Sequence, residues 1–305
     1  MTPPTVVCLM GPTAAGKTDL AIAMVDAFDM DIVSVDSAMV YRGMDIGTAK
    51  PDARTLARAP HRLIDICDPA DPYSAGRFRD DALREIAMIQ GAGRTPLLVG
   101  GTMLYYRALL GGIAELPASQ AAVREPLLAD LNAQGAPALH QRLAAIDPVA
   151  AARIHPNDPQ RIVRGLEVHA ISGRTLTDWQ NDTPPGLGQP VLKIAVMPDD
   201  RAVLHERIAR RFHQMLKEGL IDEVEALYRR GDLNPDLPSI RAVGYRQVWK
   251  YLAGEYDRET LIERGIIATR QLAKRQFTWL RSETDLHRMH NPTLNDIRPL
   301  LASQE

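Results

Sequence analysis

Eight consecutive residues near the start of the 305-residue chain have the types and spacing of a phosphate-binding loop. They are Gly11, Pro12, Thr13, Ala14, Ala15, Gly16, Lys17 and Thr18, which fit the pattern G-x-x-x-x-G-K-[ST]. The glycines let backbone N–H groups curl around an anion, and a following helix offers its N-terminus to the same anion. Lys17 adds a positive charge, and the Thr18 hydroxyl is suited to ligate Mg²⁺. The pattern predicts a site for a di- or triphosphate without specifying ATP.

Two further polar residues follow runs that read as strands. Asp36 comes directly after the apolar run 31–35, and Thr102 follows the run 96–99 and two glycines. Ligands of open α/β sheets bind beyond the carboxyl ends of the strands, so we expect both residues near the phosphate loop. By its position alone, Asp36 could serve as a metal partner, a substrate anchor, a general base or a turn cap. The Gly-Gly-Thr sequence alone fits an ordinary structural turn at least as well as a site.

The elements that must position these residues alternate between strand and helix. Apolar runs at 5–10, 31–35, 63–66, 96–99 and 191–196 predict strands, and 19–28 predicts a helix. This alternation is typical of a parallel sheet with helices on both faces, an α/β fold. Residues 115–182 have no convincing strand; helices are expected over 121–131, over 137–145 and from Asp158 to about Gly173. We predict a core of 1–114 and 183–305 with a helical C-terminal region, and a helical insertion at 115–182.

Composition excludes several classes of protein. The chain is 45% hydrophobic with a net charge of −2, which excludes intrinsic disorder. It has no apolar run of about 18 residues, so no membrane association is expected. Cys8 and Cys67 cannot build a disulfide framework, and the N-terminal residues lack a secretion signal; a cytoplasmic protein is therefore expected.

The segment 241–281 holds nine basic and four acidic residues, which fits either a surface for an anionic partner or a solvated helix face.

Blocks in order along almost the whole chain resemble one family, the bacterial tRNA dimethylallyltransferases or tRNA isopentenyltransferases. The blocks are GPTAAGKT at 11–18, VDSAMVYRGMDIGTAKP at 35–51, HRLIDICDP at 61–69, GGTMLYYRALL at 100–110, DPQRIVRGLEV at 158–168, GLIDEV at 219–224, RAVGYRQ at 241–247 and ATRQLAKRQFTWLR at 268–281. The resemblance implies transfer of a dimethylallyl group from dimethylallyl pyrophosphate to N6 of a tRNA adenosine. That adenosine lies 3′ of the anticodon in tRNAs that read codons beginning with U.

The resemblance also implies roles for the residues already singled out. Pyrophosphate, rather than ATP, would occupy the phosphate loop, and any residual affinity for ATP is left open. Lys17, the loop backbone and a Mg²⁺ held through Thr18 would stabilise the leaving group, with Arg211 as a further contact. Asp36 matches the general base that accepts the N6 proton. Thr102 matches a threonine in the channel between the two reactants.

The partners implied are dimethylallyl pyrophosphate and the anticodon stem-loop of tRNA, whose target adenosine must be flipped into the protein. The chain is expected to act as a monomer. Residues that match family contacts with tRNA are Asp36, Ser37, Ala38, Met39, Thr102, Arg124, Gln160, Arg161, Ile162, Val163, Arg164, Arg241, Ala242, Val243, Gly244, Tyr245, Arg246, Lys274, Arg275, Gln276, Phe277, Thr278, Trp279, Leu280 and Arg281.

Two other functions fit parts of the same pattern. A small-molecule or nucleotide kinase would share the phosphate loop, the position of Asp36 and the Mg²⁺. It would also need an arginine-rich lid, and the arginines of the insertion show no clear lid pattern. A nucleotide-dependent switch or RNA-binding module without chemistry is the second alternative, and its GTPase version is weakened because the chain has no N-K-x-D sequence.

Overall fold

The computed structural model describes residues 6–302, which divide into two compact units. We call residues 6–109 and 187–302 the sheet unit, and Leu110–Gly186 the helical unit. The insertion expected at 115–182 lies inside the helical unit, which extends a few residues further at each end.

The described residues form the following elements in chain order. They are β1 (Val6–Met10), α1 (Lys17–Ala27), β2 (Met30–Val35), α2 (Ala53–Arg58), β3 (His61–Arg62), α3 (Ala75–Gly91), β4 (Thr95–Gly100), α4 (Met103–Gly111), α5 (Ala121–Ile146), α6 (Pro148–Arg153), α7 (Pro159–Ser172), α8 (Leu176–Asn181), β5 (Val191–Met197), α9 (Arg201–Glu218), α10 (Leu220–Tyr228), α11 (Tyr245–Leu252), α12 (Arg258–Ser282), β6 (Leu286–His290) and α13 (Leu294–Ala302). No helix of this part of the chain has both the length and the apolar character needed to cross a membrane.

The strands of the described residues form one parallel sheet in the order β3-β2-β4-β1-β5-β6. Every residue of β1 is buried, as are all but the first of β4. Successive side chains of a strand point to opposite faces, so both faces of the sheet must be covered. The expected α/β class with helices on both faces is confirmed.

The register of the sheet brings three strand ends together. Gly100, the last residue of β4, lies beside Met10 of β1 on one side and beside Val35 of β2 on the other. The three connections that leave these strands therefore start next to one another at one edge of the sheet. They carry the phosphate loop, Asp36 and Thr102, the residues that the sequence singled out.

Two strand assignments differ from the sequence-based expectation. The strand expected at 63–66 is wrong: β3 is His61–Arg62, and the chain turns after it. Leu63 and Asp65 have φ of 63° and 56°, a left-handed conformation that a strand does not contain. β6 was not predicted, because it mixes partly buried and exposed residues and lacks a continuous apolar run.

The helical unit contains the predicted helices and two short ones, α6 and α8. The two helices expected at 121–131 and 137–145 correspond to α5, which Gly135 interrupts with a non-helical conformation (φ 80°, ψ 163°). α7 begins after Asp158, whose carboxylate accepts from Arg161 N–H, and ends at Gly173 in the left-handed conformation (φ 69°). The unit has its own core, in which Leu139 and Leu143 of α5 pack with Ile162 of α7.

Candidate active site

The phosphate loop connects the end of β1 to the start of α1. Gly16, the residue that caps α1, has a left-handed conformation (φ 88°) that glycine adopts at little cost. Ala15 N–H donates to Pro12 O at 3.3 Å and closes a turn inside the loop. The N–H groups of the first turn of α1, including those of Lys17 and Thr18, have no carbonyl acceptor within the helix and are suited to an anion.

Lys17 lies folded over the loop that it follows. Its Nζ donates to Gly11 O at 3.0 Å and to Pro12 O at 2.8 Å. Burial lowers the pKa of Lys17 to about 8; the negative charge of Asp36 opposes this effect, and the positive charge of Arg211 adds to it. Burial likewise lowers the pKa of Arg211, again with Asp36 acting in the opposite direction. Two partly desolvated cations thus lie close to one carboxylate, an arrangement that favours a multiply charged anion as ligand.

Asp36 and Thr102 belong to adjacent turns that are bonded to each other. Asp36 Oδ1 accepts from Ala38 N–H at 2.8 Å and from Met39 N–H at 3.3 Å, so one carboxylate oxygen is fixed by the backbone. Thr102 Oγ1 accepts from Ser37 N–H at 3.0 Å and donates to Ser37 Oγ at 3.3 Å. Both bonds of the Asp36 carboxylate to the backbone are made by Oδ1 and none by Oδ2, among the residues that the structure describes.

One cavity of about 770 Å³ joins these groups, a size typical of small-molecule sites. Its lining includes phosphate-loop residues from Thr13 to Thr18, together with Asp36 and Thr102, as the sequence predicted. Arg207 and Arg211 of α9 line it as well. Part of the wall is apolar and comes from Ile208, Phe212, Met215, Leu272 and Trp279. The cavity therefore offers an anion site and an apolar surface side by side.

Gln276 of α12, one of the predicted tRNA contacts, bonds two loops of the cavity. It is only 7% exposed and lies against the phosphate loop. Its Oε1 accepts from Thr13 N–H at 2.9 Å, and its Nε2 donates to Gly101 O at 2.9 Å. A Cβ at Gly101 would lie 2.3 Å from Gln276 Nε2, so any side chain there would displace this amide.

The loop after Tyr41 is held against α10 by one carboxylate. Glu223 accepts from the backbone N–H groups of Asp45, Ile46 and Gly47 at 2.8–3.1 Å and from the hydroxyl of Tyr245. A Cβ at Gly47 would come within 2.5 Å of the Tyr245 ring, so this close packing also depends on a glycine. Gly47, Thr48, Ala49 and Pro51 line the cavity, so Glu223 positions part of its wall without lining it.

The basic C-terminal segment is divided between the cavity and the surface. The cavity is lined by Arg241, Ala242, Val243, Gly244, Arg275, Gln276 and Trp279. Arg246, Lys274, Thr278 and Arg281 are exposed. Tyr245 and Leu280 are fully buried, and Phe277 packs beside the cluster of Leu204, Ile208 and Ala273. The side chains of Tyr245 and Leu280 therefore belong to the core, and contact of their exposed neighbours with RNA stays a prediction.

Comparison with known proteins identifies the family. The sequence model of the family described as IPP transferase matches residues 39–283, well over half of the chain. The chain belongs to the IPP transferase family. It is 62% identical over 283 residues to a tRNA dimethylallyltransferase of Thioalkalivibrio sulfidiphilus, a match that covers 92% of this chain and 88% of the relative.

Solved structures of this family have the same fold. The full-length tRNA isopentenylpyrophosphate transferase of Bacillus halodurans has 36% identity and a TM-score of 0.72, with 98% of this chain and 96% of that chain covered. A eukaryotic dimethylallyltransferase described as acting on tRNA has 25% identity and a TM-score of 0.79, with 99% and 77% covered.

In this IPP transferase, two of the predicted tRNA contacts of the helical unit are already ion-paired. Glu167 of α7 is fully buried; Arg164 Nη1 donates to it at 2.9 Å, Arg124 Nη1 donates at 3.2 Å, and the Ser119 hydroxyl bonds it as well. Burial by itself would raise the pKa of Glu167, but the bonds from Ser119 and Arg164 and the two positive charges outweigh it and lower the pKa. Glu167 therefore fixes the two arginines in place.

The other members of the segment divide sharply by exposure. Ile162 and Val163 are buried in the core of the helical unit, so their side chains serve packing. Gln160 is exposed, and so is Arg161, whose side chain is 68% accessible beside Asp158. Contact of this part of the IPP transferase with RNA stays a prediction, and its exposed members are the ones placed to make it.

Sequence reasoning missed three residues at or near the site. Arg207 could have been found, since it lies four residues before Arg211 and hence on the same face of α9. His61 also lines the cavity; its Nδ1 lies 2.7 Å from Ala59 O, and burial lowers its pKa. Glu223 lies in the matching block 219–224, but the sequence does not show its role, because its backbone partners are more than 170 residues away.

Proposed function

We propose that this chain transfers a dimethylallyl group from dimethylallyl pyrophosphate to N6 of the tRNA adenosine 3′ of the anticodon, in tRNAs that read codons beginning with U. The C1–O bond of the donor breaks, the C1–N6 bond forms, and pyrophosphate leaves with the bonding electrons. The observation that carries the proposal is the single cavity in which the phosphate loop, Asp36 and Thr102 meet. Membership of the IPP transferase family and the activities named for its relatives support it.

The diphosphate of the donor is the ligand proposed for the phosphate loop. Lys17, Arg211 and the amides of the first turn of α1 would neutralise the charge that gathers on the leaving oxygen. The apolar wall formed in part by Phe212 and Leu272 suits the five-carbon chain. Both halves of the donor thus find matching surfaces in one cavity.

Magnesium fits this arrangement as a partner of the substrate. Among the described residues, no group of three or more His, Cys, Asp or Glu could hold a metal ion, so the protein alone does not form a cage. Mg²⁺ typically keeps several waters and binds through few protein oxygens plus substrate phosphates. The exposed hydroxyl of Thr18, which lines the cavity, would be such an oxygen. Bound there, the ion would neutralise diphosphate charge.

Asp36 is the proposed general base. The N6 lone pair of adenine is delocalised into the ring, so loss of the N6 proton to a carboxylate makes the nitrogen a better nucleophile. The backbone bonds to Oδ1 hold the carboxylate in one orientation and leave Oδ2 for the proton. Thr102, bonded to Ser37, lies beside this carboxylate and is proposed to line the channel between the reactants.

The RNA is proposed to reach the cavity with its target base flipped out of the anticodon loop. Arg241 and Arg275 line the cavity, and Lys274 and Arg281 lie on the exposed surface of the same unit. Basic groups at these positions would contact the phosphates that flank the flipped nucleotide. The remaining proposed contacts are Ser37 to Met39 beside the base and the exposed residues Gln160 and Arg161 of the helical unit.

The chain is further proposed to act as a monomer in the cytoplasm. Cys8 and Cys67 are both free and buried, which is compatible with a reducing compartment. Light scattering during gel filtration measures the oligomeric state directly, and a dimer at micromolar concentration would contradict this part of the proposal.

Incubation with unmodified tRNA, Mg²⁺ and dimethylallyl pyrophosphate, with and without ATP, tests the function. Mass analysis of the nucleosides should show adenosine heavier by one dimethylallyl group, equally with and without ATP. The kinase alternative, which the relatives do not favour, predicts no modified nucleoside and transfer of phosphate from ATP. Prenyl transfer that stops when ATP is removed would contradict the assignment of the loop to pyrophosphate.

A further inference from the structure

Gln276 connects three parts of the sheet unit that are far apart in the sequence. It stands on α12, and its amide reaches the phosphate loop at Thr13 and the turn after β4 at Gly101, both at 2.9 Å. The two loops leave neighbouring strands whose ends, Met10 and Gly100, lie side by side. A single side chain therefore bridges the phosphate loop and the turn that carries Thr102.

The chemistry of the two partners requires a carboxamide. Thr13 offers an N–H and needs an acceptor, while Gly101 offers a carbonyl and needs a donor. A glutamine supplies both from one planar group, in only one orientation. Glutamate would keep the bond to Thr13 but set a second oxygen against the Gly101 carbonyl. Methionine would fill the volume and satisfy neither group, and a buried polar group without a partner is costly.

We infer that Gln276 is a positioning residue for the diphosphate site, acting through the phosphate loop. By holding the Thr13 peptide it fixes the start of the turn from which Ala14 to Thr18 approach the anion. By holding Gly101 it fixes Thr102, which is bonded to Ser37 beside Asp36. The inference rests on the proposed function and assigns Gln276 to the donor rather than to direct contact with tRNA.

Gln276 lies on the same helix as basic residues that are proposed to contact RNA. Lys274 and Arg275, its near neighbours, are exposed and are among the proposed contacts with RNA. The same helix thus carries cations that are proposed to contact RNA and the side chain that holds the phosphate loop. A shift of α12 on binding RNA would be transmitted to the diphosphate site through two hydrogen bonds.

Gln276→Met in the full-length protein tests the assignment, with Gln271→Met as the matched control. Gln271 lies on the same helix, is exposed, and is absent from the cavity lining. The probe is inorganic pyrophosphate with Mg²⁺, measured by calorimetry without RNA, and tRNA affinity is measured separately by filter binding. Gln276→Met should weaken pyrophosphate binding about tenfold and raise the KM for dimethylallyl pyrophosphate, with tRNA affinity changed less than about twofold. The control should match wild type in all three.

Hydrogen exchange of the peptide that covers residues 11–18 gives a second readout. Exchange there should be faster in Gln276→Met without any ligand, since Thr13 N–H has lost its acceptor. If the methionine variant does not fold, Gln276→Glu takes its place and should change pyrophosphate binding in the same direction.

Three outcomes would overturn the inference. Unchanged pyrophosphate affinity with weakened tRNA affinity would make Gln276 an RNA contact. A wild-type protein that modifies tRNA but does not bind pyrophosphate at this loop would remove the site that Gln276 is said to position. A wild type that neither binds pyrophosphate nor modifies tRNA would contradict the proposed function as well.

Discussion

Replacing Asp36 by asparagine separates its proposed role as a base from its role in the turn. Asparagine keeps an oxygen that can accept from Ala38 and Met39 N–H, the two bonds that Oδ1 makes. Asparagine and aspartate cap backbone N–H groups about equally well, so the free energy of unfolding should change little. The amide nitrogen that replaces Oδ2 cannot take a proton from N6.

The expected loss is the contribution of the general base. Such assistance is worth roughly 10²–10⁴-fold, or about 2.7–5.5 kcal/mol of activation free energy. Asp36→Asn should therefore lower the rate of the chemical step by about that factor. The affinities for tRNA and for dimethylallyl pyrophosphate should change much less, because asparagine keeps the shape of the side chain and its two bonds to the turn.

The assay is a single turnover with enzyme in excess and both substrates saturating, so that product release does not contribute. The assay should be run near pH 7. Burial lowers the pKa of Lys17 to about 8, and the negative charge of Asp36 opposes this effect. Loss of that charge would lower the pKa of Lys17 further and weaken diphosphate binding in alkaline solution. Asp36→Ala serves as the comparison, since it should lose the base and the two turn bonds together.

A near-normal rate for Asp36→Asn would refute the assignment. The carboxylate would then be a turn cap, and another group would have to accept the proton. A variant that melts at the wild-type temperature and is slowed about 10²-fold or more would support the base.

Three further expectations follow from the geometry. Arg164→Ala should lower the free energy of unfolding by about 1–3 kcal/mol in chemical denaturation, since buried Glu167 loses a partner. Arg161→Ala should leave the free energy of unfolding unchanged and weaken tRNA binding. Equal stability of the two variants would contradict this expectation. Lys274→Ala should lower the slope of log Kd against log salt by about one, and an unchanged slope would place this lysine outside the RNA site. Burial lowers the pKa of His61 from 6.5, so below about pH 6.5 the unfolded chain takes up a proton that the folded protein does not. The free energy of unfolding should therefore decrease as the pH is lowered through this range, and it should decrease less steeply in His61→Asn. Identical pH profiles of the two proteins would contradict the burial argument.

The sequence predicted the centre of the fold well, because its patterns there are local. The phosphate loop combines an apolar strand, glycines and a helix in one short segment, and Asp158 and Gly173 mark both ends of α7 through their own caps. Parallel strands place their carboxyl ends at one edge, so Asp36 and Thr102 could be assigned to the site before their contacts were known.

Other features depend on contacts that no local pattern contains. The turn at Leu63 and Asp65 lies in a largely apolar sequence that is typical of a strand, yet both residues have a left-handed backbone conformation. Gln276 is separated from Thr13 by 263 positions, and its role appears only once α12 packs on the phosphate loop. Buried residues of matching blocks, such as Ile162, show that a block can resemble a contact segment while some of its side chains serve the core.

A structure of the protein with Mg²⁺, an anticodon stem-loop and an unreactive thio analogue of dimethylallyl pyrophosphate tests the central claim most directly. The diphosphate should lie on residues 11–18, with Lys17 Nζ turned away from Gly11 O and Pro12 O to contact it. The flipped adenine should place N6 between C1 of the analogue and Asp36, at about 2.6–3.2 Å from a carboxylate oxygen. A diphosphate bound away from the loop, or an N6 out of reach of Asp36 in a complex that becomes reactive with the true donor, would contradict the account.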